Sequence, residues 1–487
     1  MQSSPNTPQS RLETIQALLL LFAIGLWGAK AILHEALSLQ SLLGLLVRDE
    51  GLLGEPNQAT DWDTWIRLEA ANRTKLIAYC FFNLCSIAYN TPPLLLTSEV
   101  HLYLPNPSRL WRAESAWQWQ EARQSYPNME VPLQEAFSRL LSRNTQGPPS
   151  TVTSLGNYVL IHALIQHIFM LKQTSFVVLS PFEVHRGLKE DDIEEVSQAL
   201  RLWSMGFDQH RQLRASEAGA VQQPMGDNQN GGPVAFNSTA LLRLAYIRLY
   251  TDLSPSRSLD TRDHVLIAAA FSDAPLLVRS ARLCRAVLQA IHALSMLVKM
   301  GVNYVARTKS LEWSMQHSRK FLGEVCCHGL VARNAFRCAN CCAAVCNLEC
   351  AVLLSKWLMT LASIGPADPP PTMEEKSLLE MVRRMLDETE FAVPIDPSLS
   401  SPGGNGNGTA AGHHQSRSLD LSGSTDGTKL RQLASAVIRL WAETFKGAHI
   451  FEIVRIMAAG LEGYADLIEK PRDRTPLGRV MSNQGLG

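Results

Sequence analysis

Along most of the chain, apolar residues recur three and four positions apart, the spacing that lines one face of an α-helix, while strict alternation is nearly absent. Between residues 12 and 47 the pattern breaks once, near Gly25 and Gly28, which predicts two packed helices. Asp61 is a suitable N-cap for a helix opening at Trp62 and running to about Tyr89. Asn90-Thr91-Pro92-Pro93 should end it, because proline lacks an amide donor and its ring clashes with a continuing helix. Further helices are expected over residues 133–141, 155–171, 191–203, 240–251, 264–300, 337–361, 374–385, 430–445 and 450–468. Only residues 175–179 have strand character. The fold class expected is all-α.

Two stretches interrupt the helical texture. Residues 212–233 are rich in Gln, Gly and Asn, which predicts a flexible insertion in an otherwise helical domain. Residues 397–428 include Gly403-Gly404-Asn405-Gly406-Asn407-Gly408 and read as a flexible linker. The expected organisation is then a disordered N-terminus over 1–10, a helical domain over 11–365, a helical extension over 366–396, the linker, a small helical segment over 429–470, and a tail over 471–487.

Composition narrows the class. Apolar residues make up 46% of the chain and charged residues 18%, a globular balance with enough length for about three domain-sized units. The 45 basic and 45 acidic side chains cancel, so the chain lacks the basic excess with which a self-sufficient nucleic-acid binder meets phosphate. The most apolar N-terminal stretch, residues 17–27, is too short to span a bilayer, and neither a basic leader nor a small-residue cleavage site flanks it. No membrane association is expected. The ten cysteines read as reduced thiols, and the glycosylation-like triplets at Asn72, Asn237 and Asn407 as coincidence.

The most informative stretch is residues 61–119. Trp62, Trp65, Ile66 and Glu69 share one helical face, and Glu69 can pair with Arg73 one turn on. After Pro92 and Pro93 come an extended segment with Ser98 and Glu99, then Leu104-Pro105 and Trp111. In this order the stretch resembles the fungal transcription factor regulatory domain, also called the middle homology or xylanolytic-activator-type domain. The resemblance is best over residues 11–120, where residues 12–51 also look like the family's upstream hairpin. One departure is Ala71-Asn72-Arg73, where many relatives carry consecutive arginines. These signature positions are expected to build the fold through core packing and capping, not to form a chemical site.

The resemblance implies a nuclear regulator in which a cysteine-rich zinc module reads DNA and the helical domain modulates activity. No cysteine precedes Leu12, and neither a binuclear zinc cluster nor a Cys2His2 finger spacing appears anywhere in the chain. Zinc and direct DNA contact are therefore expected only from a module missing from this chain or from a partner. A truncated gene product and a DNA-blind relative that dampens intact regulators both remain open. Expected partners are transcriptional co-regulators, a homo- or heterodimer mate and a small-molecule effector.

Other candidate chemistry is sparse. Cys338, Cys342, Cys346 and Cys350 form one helical stripe about 18 Å long, too extended for one zinc ion. A site would need Cys326, Cys327 or His328 to fold back onto Cys338 and Cys342, whereas the flanking sequence is that of a buried helix with ordinary core thiols. Asp191-Asp192 followed by Glu195 suggests the Mg²⁺-binding carboxylates of a terpene cyclase, but an acidic first turn answers equally to the helix dipole. Phosphate-cradling, dinucleotide and nucleophile-elbow motifs are absent from the sequence, so no catalytic residue is expected. His162 and His167, five apart, do not share a helical face.

Overall fold

The computed structural model describes residues 7–125, 130–142, 152–175, 177–180, 183–185, 188–219, 232–251, 259–300, 337–389, 425–446 and 451–470. Among these residues the chain is all-α apart from one short ribbon. The helices are α1 (Pro8–Leu26), α2 (Lys30–Asp49), α3 (Trp62–Tyr89), α4 (Ser108–Trp111), α5 (Ala116–Ser125), α6 (Leu133–Leu141), α7 (Ser154–Thr174), α8 (Glu190–Gly219) and α9 (Gly232–Tyr250). Then come α10 (His264–Asp273), α11 (Ala281–Met300), α12 (Arg337–Ala362), α13 (Met373–Asp387), α14 (Thr425–Phe445) and α15 (Glu452–Glu469). The ribbon pairs β1 (Val177–Ser180) with β2 (Glu183–His185) in antiparallel register, and β1 overlaps the strand-like 175–179.

Local chemistry accounts for many boundaries. Thr7 caps α1 by accepting the Ser10 N–H at 3.2 Å, and Pro8 sits in the first turn, where an amide donor would be orphaned anyway. Asp61 caps α3 through the Thr64 N–H at 2.8 Å, and Asn90 ends that helix in the left-handed conformation at φ 54°. Thr153, Asp263 and Thr372 cap α7, α10 and α13 in the same way. At Gly25 a Cβ would come 2.7 Å from the Cβ of Ala36, so glycine sets the spacing of the α1–α2 hairpin.

Several boundaries differ from the sequence expectation. The helix begins at Pro8, so residues 8–10 are the first turn of α1 and not part of a disordered terminus. Residues 264–300 form two helices, because Pro275 forces Ala274 out of helical geometry, at ψ 136°. α8 continues through Gly219 and α9 opens at Gly232-Pro233, so both ends of the expected insertion are helical. α14 likewise starts at Thr425, inside the expected linker. The short helices α4, which ends on Trp111, and α5 fall in a stretch for which the sequence predicted no helix.

The α1–α2 hairpin packs on α3, and α3 on α7. From α7 the packing passes to α9, then to α12, which also carries α11 and α14, and α15 closes the molecule against α14 and α10. One continuous hydrophobic core runs through all of these. Four described helices are long and apolar enough to cross a membrane: Lys30–Asp49, Ser154–Thr174, Ala281–Lys299 and Ala344–Ala362. Two of them, α7 and α12, are apolar on every side for another reason, since 78% and 94% of their spans lie inside the protein.

Candidate functional site

Trp62, Trp65, Glu69, Arg73, Leu104, Pro105 and Trp111 gather around the first half of α3, whereas Pro92, Pro93, Ser98 and Glu99 follow its far end. Residues 100–104 run as an extended strip bonded on both edges. His101 exchanges backbone hydrogen bonds with Leu52 and Gly54 at 2.9 Å on one side. On the other, the Leu104 N–H donates to Val131 and the Leu133 N–H to Leu102, both at 2.8 Å. The strip delivers Leu104 and Pro105 beside α3, and the chain then arches through Pro107 into α4 and α5.

Under that arch, Glu69 and Arg73 form the ion pair that their spacing suggests, at 2.7 Å, with each side chain only 2% exposed. Asn106 completes it. Its backbone N–H donates to Glu69 Oε1 at 2.9 Å and its side chain to Oε2 at 3.1 Å, while Arg73 donates to the Asn106 carbonyl at 2.7 Å. The guanidinium also lies 4.6 Å from the Trp111 ring centroid. Trp65 and Trp119 pack at 5.8 Å in a separate small core with Leu110, Trp111, Ala113 and Ala122, against which Trp62 rests. Arg123 covers Trp119 and ties α5 to the Ala59 carbonyl at 2.8 Å. Pro92 and Pro93 follow the α3 cap, and Glu99 pairs with Arg48 at 2.9 Å while accepting the Leu96 N–H at 2.7 Å. Ser98 is exposed.

A cavity of about 650 Å³ opens beside this arch. Its walls come from the arch (Leu104 to Ala113), from α5 (Trp117, Gln118, Glu121), from the start of α7 (Thr153, Ser154, Leu155) and from α8 (His210, Leu213). Thr153 donates to the Pro105 carbonyl at 2.9 Å, and Ser154 and His210 are 3.2 Å apart, so arch, α7 and α8 are held together around it. Nothing in the sequence singled out His210 or residues 153–155, because they reach the arch only through tertiary packing.

Two further polar features were not legible in the sequence. Gln166, in the middle of apolar α7, accepts the Thr97 N–H at 2.6 Å and hydroxyl at 2.7 Å. It donates to Asn83 and to the Leu95 carbonyl, both at 2.8 Å. The Tyr79 hydroxyl joins at 2.7 Å from Thr97, and burial raises its ionisation far above the ordinary tyrosine range. Farther along, Arg248 pairs with Glu349 at 2.6 Å and donates to the Ile87 carbonyl at 2.9 Å, joining α3, α9 and α12. Arg262, at φ 55°, reaches the Leu26 and Gly28 carbonyls at 3.0 Å and so caps the end of α1.

The remaining candidates are dispersed. Cys326, Cys327 and His328 lie outside the described residues, as do the side chains of Cys338 and Cys342. Cys346 and Cys350 are buried in α12, and burial raises the Cys350 thiol well beyond its ordinary range. Among the described residues no group of three or more His, Cys, Asp or Glu side chains is placed to hold a metal. The acidic run opens α8, where Glu190 meets Arg282 and Glu194 meets Arg201. His162 is fully buried, edge-on to Tyr158 at 4.6 Å, and burial holds its imidazole down at about 3. His167 packs instead on Phe137 at 5.8 Å.

Residues 2–204 match the fungal specific transcription factor domain, and residues 252–463 match the fungal transcription factor C-terminal domain. A curated relative, "Transcription factor PfmaH" of Pestalotiopsis fici, is 26% identical over 124 residues, which is 23% of this chain and 13% of the relative. No solved structure matches the chain. These families consist of transcription regulators and point away from an enzyme. With the two matches lying one behind the other over most of its length, the chain is a fungal transcription factor regulatory-domain protein.

Proposed function

We propose that this chain is the regulatory portion of a nuclear fungal regulator of RNA polymerase II transcription, acting through protein partners and not by gripping DNA itself. The observation that carries the reading is the pair of transcription factor matches over 2–204 and 252–463. The zero formal net charge supports the second half of it, since a chain without a basic excess gains little from counterion release on DNA. DNA contact, with its zinc, then comes from a separate module or from a partner that carries one. Transcriptional co-regulators and a dimer mate are the other partners.

The test is a tethering experiment in a fungal host. The chain is fused to a heterologous DNA-binding domain and placed over a reporter with the matching operator. A change in reporter transcript relative to the DNA-binding domain alone, in either direction, is expected, and none from the untethered chain. A fluorescent fusion should concentrate in the nucleus. A tethered chain that leaves transcript unchanged and captures no component of the transcription machinery would overturn the reading.

A further inference from the structure

We propose that the outer face of the α1–α2 hairpin is the contact through which two copies of this chain pair about a two-fold axis. This deepens the regulatory reading by giving its dimer mate an identity and a surface. What points there is a mismatch between composition and burial. α2 is about as apolar as α7 and α12, yet only 28% of its apolar span lies inside the protein, against 78% and 94% for theirs. Leu33, Ala36, Leu43 and Val47 fill its inner side. On its outer side Ile32 is 50% and Leu42 46% exposed, and on α1 Leu21 is 58% and Ile24 37% exposed.

These side chains form one surface and not two. A Cβ at Gly25 or Gly28 would lie 3.5 or 3.4 Å from Cγ2 of Ile32, so Ile32 rests on α1 where those glycines stand. Ala17, Leu21, Ile24 and Gly28 step along one face of α1 by four, three and four positions. Ile32, Leu39 and Leu42 step along one face of α2 by seven and three, so from Ile32 the two rows run side by side. The 19 residues of α1 make this face about 28 Å long at 1.5 Å per residue. Two helices packed about 9 Å apart make it about 20 Å wide. That is about 550 Å² per copy, near the top of the about 300–600 Å² that the largest apolar patch on a monomer reaches. Set against itself about a two-fold axis, the face buries about 1,100 Å², which clears the about 1,000 Å² that a specific interface needs. Lipid is the poorer occupant, because Arg11 and Arg48 are held by Glu50 and Glu99 and leave no basic cluster on the hairpin for anionic headgroups.

The experiment is sedimentation velocity on the purified full chain from about 1 to about 100 µM, where a monomer should pass to a dimer with a micromolar dissociation constant, as fits an interface of this modest size. Leu21→Glu/Leu42→Glu should weaken the dimer by at least about tenfold, and it should keep the parent's helix content because both side chains are exposed. Val278→Glu/Met373→Glu charges two exposed apolar side chains outside the hairpin and should dimerise as the parent does. Raising sodium chloride from about 50 to about 500 mM should leave the dimer intact, since salt does not screen an apolar contact. A parent chain still monomeric at the highest concentration, a dimer that survives the hairpin variant, or one lost equally in the outside variant would each overturn the proposal. So would a monomeric parent that co-sediments with phosphatidylcholine–phosphatidylserine vesicles, which would give the face to lipid. Association is read without any promoter, so a silent reporter beside an intact dimer would sink the transcriptional reading alone.

Discussion

Glu69 and Arg73 show what a buried ion pair demands of its surroundings. Both charges are withdrawn from water, and they are tolerable only because Asn106 meets both Glu69 oxygens and its carbonyl accepts from Arg73. Glu69→Gln leaves a guanidinium buried without its counter-charge, so urea unfolding should show a loss of about 3–5 kcal/mol. Adding Arg73→Met should recover much of that loss, because it removes the stranded charge as well. Gln166 makes the complementary case without charge. Gln166→Leu strips the partners from Thr97, Asn83 and the Leu95 carbonyl, and should lower stability by about 1–3 kcal/mol in the same assay. The first pair was legible in the sequence because its spacing is local. Gln166 was not, because the three residues it bonds lie 69 to 83 positions away.

Helix α13 buries Leu378, Leu379, Val382 and Leu386 in the core and is fixed at its start by its first turn. Thr372 accepts the Glu375 N–H at 3.2 Å and Glu375 accepts the Thr372 N–H at 2.8 Å, a reciprocal capping box. Thr372→Ala should therefore cost about 1 kcal/mol, read as a lower urea midpoint. Glu375 also receives two hydrogen bonds from Arg279, at 2.6 and 2.9 Å, which fasten the start of α11 to α13. Burial on its own would raise the Glu375 carboxyl, but the Arg279 guanidinium and the Thr372 cap outweigh it and hold the carboxyl below its usual 4.5. A depressed folded value means that the stabilisation is fully present above about pH 4.5 and is lost as pH falls through the folded value. The melting temperature should drop on acidification below that point, and Arg279→Met should make the drop shallower. An identical pH profile for the two proteins would count against the assignment.

At the scale of the whole molecule, the two matched segments are fastened to each other. Arg248, between the two segments, pairs with Glu349 and donates to the Ile87 carbonyl at the end of α3, and Arg262 binds the end of α1 while donating to Tyr89 at 2.8 Å. With one hydrophobic core running through both, unfolding should be a single event. Tryptophan fluorescence and far-ultraviolet dichroism should then report the same midpoint. Arg248→Ala should lower stability by about 3 kcal/mol without splitting the transition, since it removes the ion pair of the mostly buried Glu349 carboxylate. Two separated transitions in the parent chain would show that the segments fold apart.

Helix class, caps and the signature pattern were determined by the sequence itself. They depend on neighbours within one or two turns: Asp61 before Trp62, Glu69 before Arg73, and prolines after Asn90. The regulatory family was legible for the same reason, since residues 61–119 carry their pattern in a continuous run. Short-range signals also had limits, as at Pro275, where an unbroken apolar rhythm concealed a bend, and at Gln212, where polar composition concealed two more turns of α8. Only the tertiary structure decided which polar side chains would be satisfied and where a cavity would open. His210 and Thr153 reach the arch from helices far along the chain, and the enclosure exists only once α7 and α8 are packed against it. Periodicity states which face of a helix turns inward, whereas a binding space depends on which other face it meets.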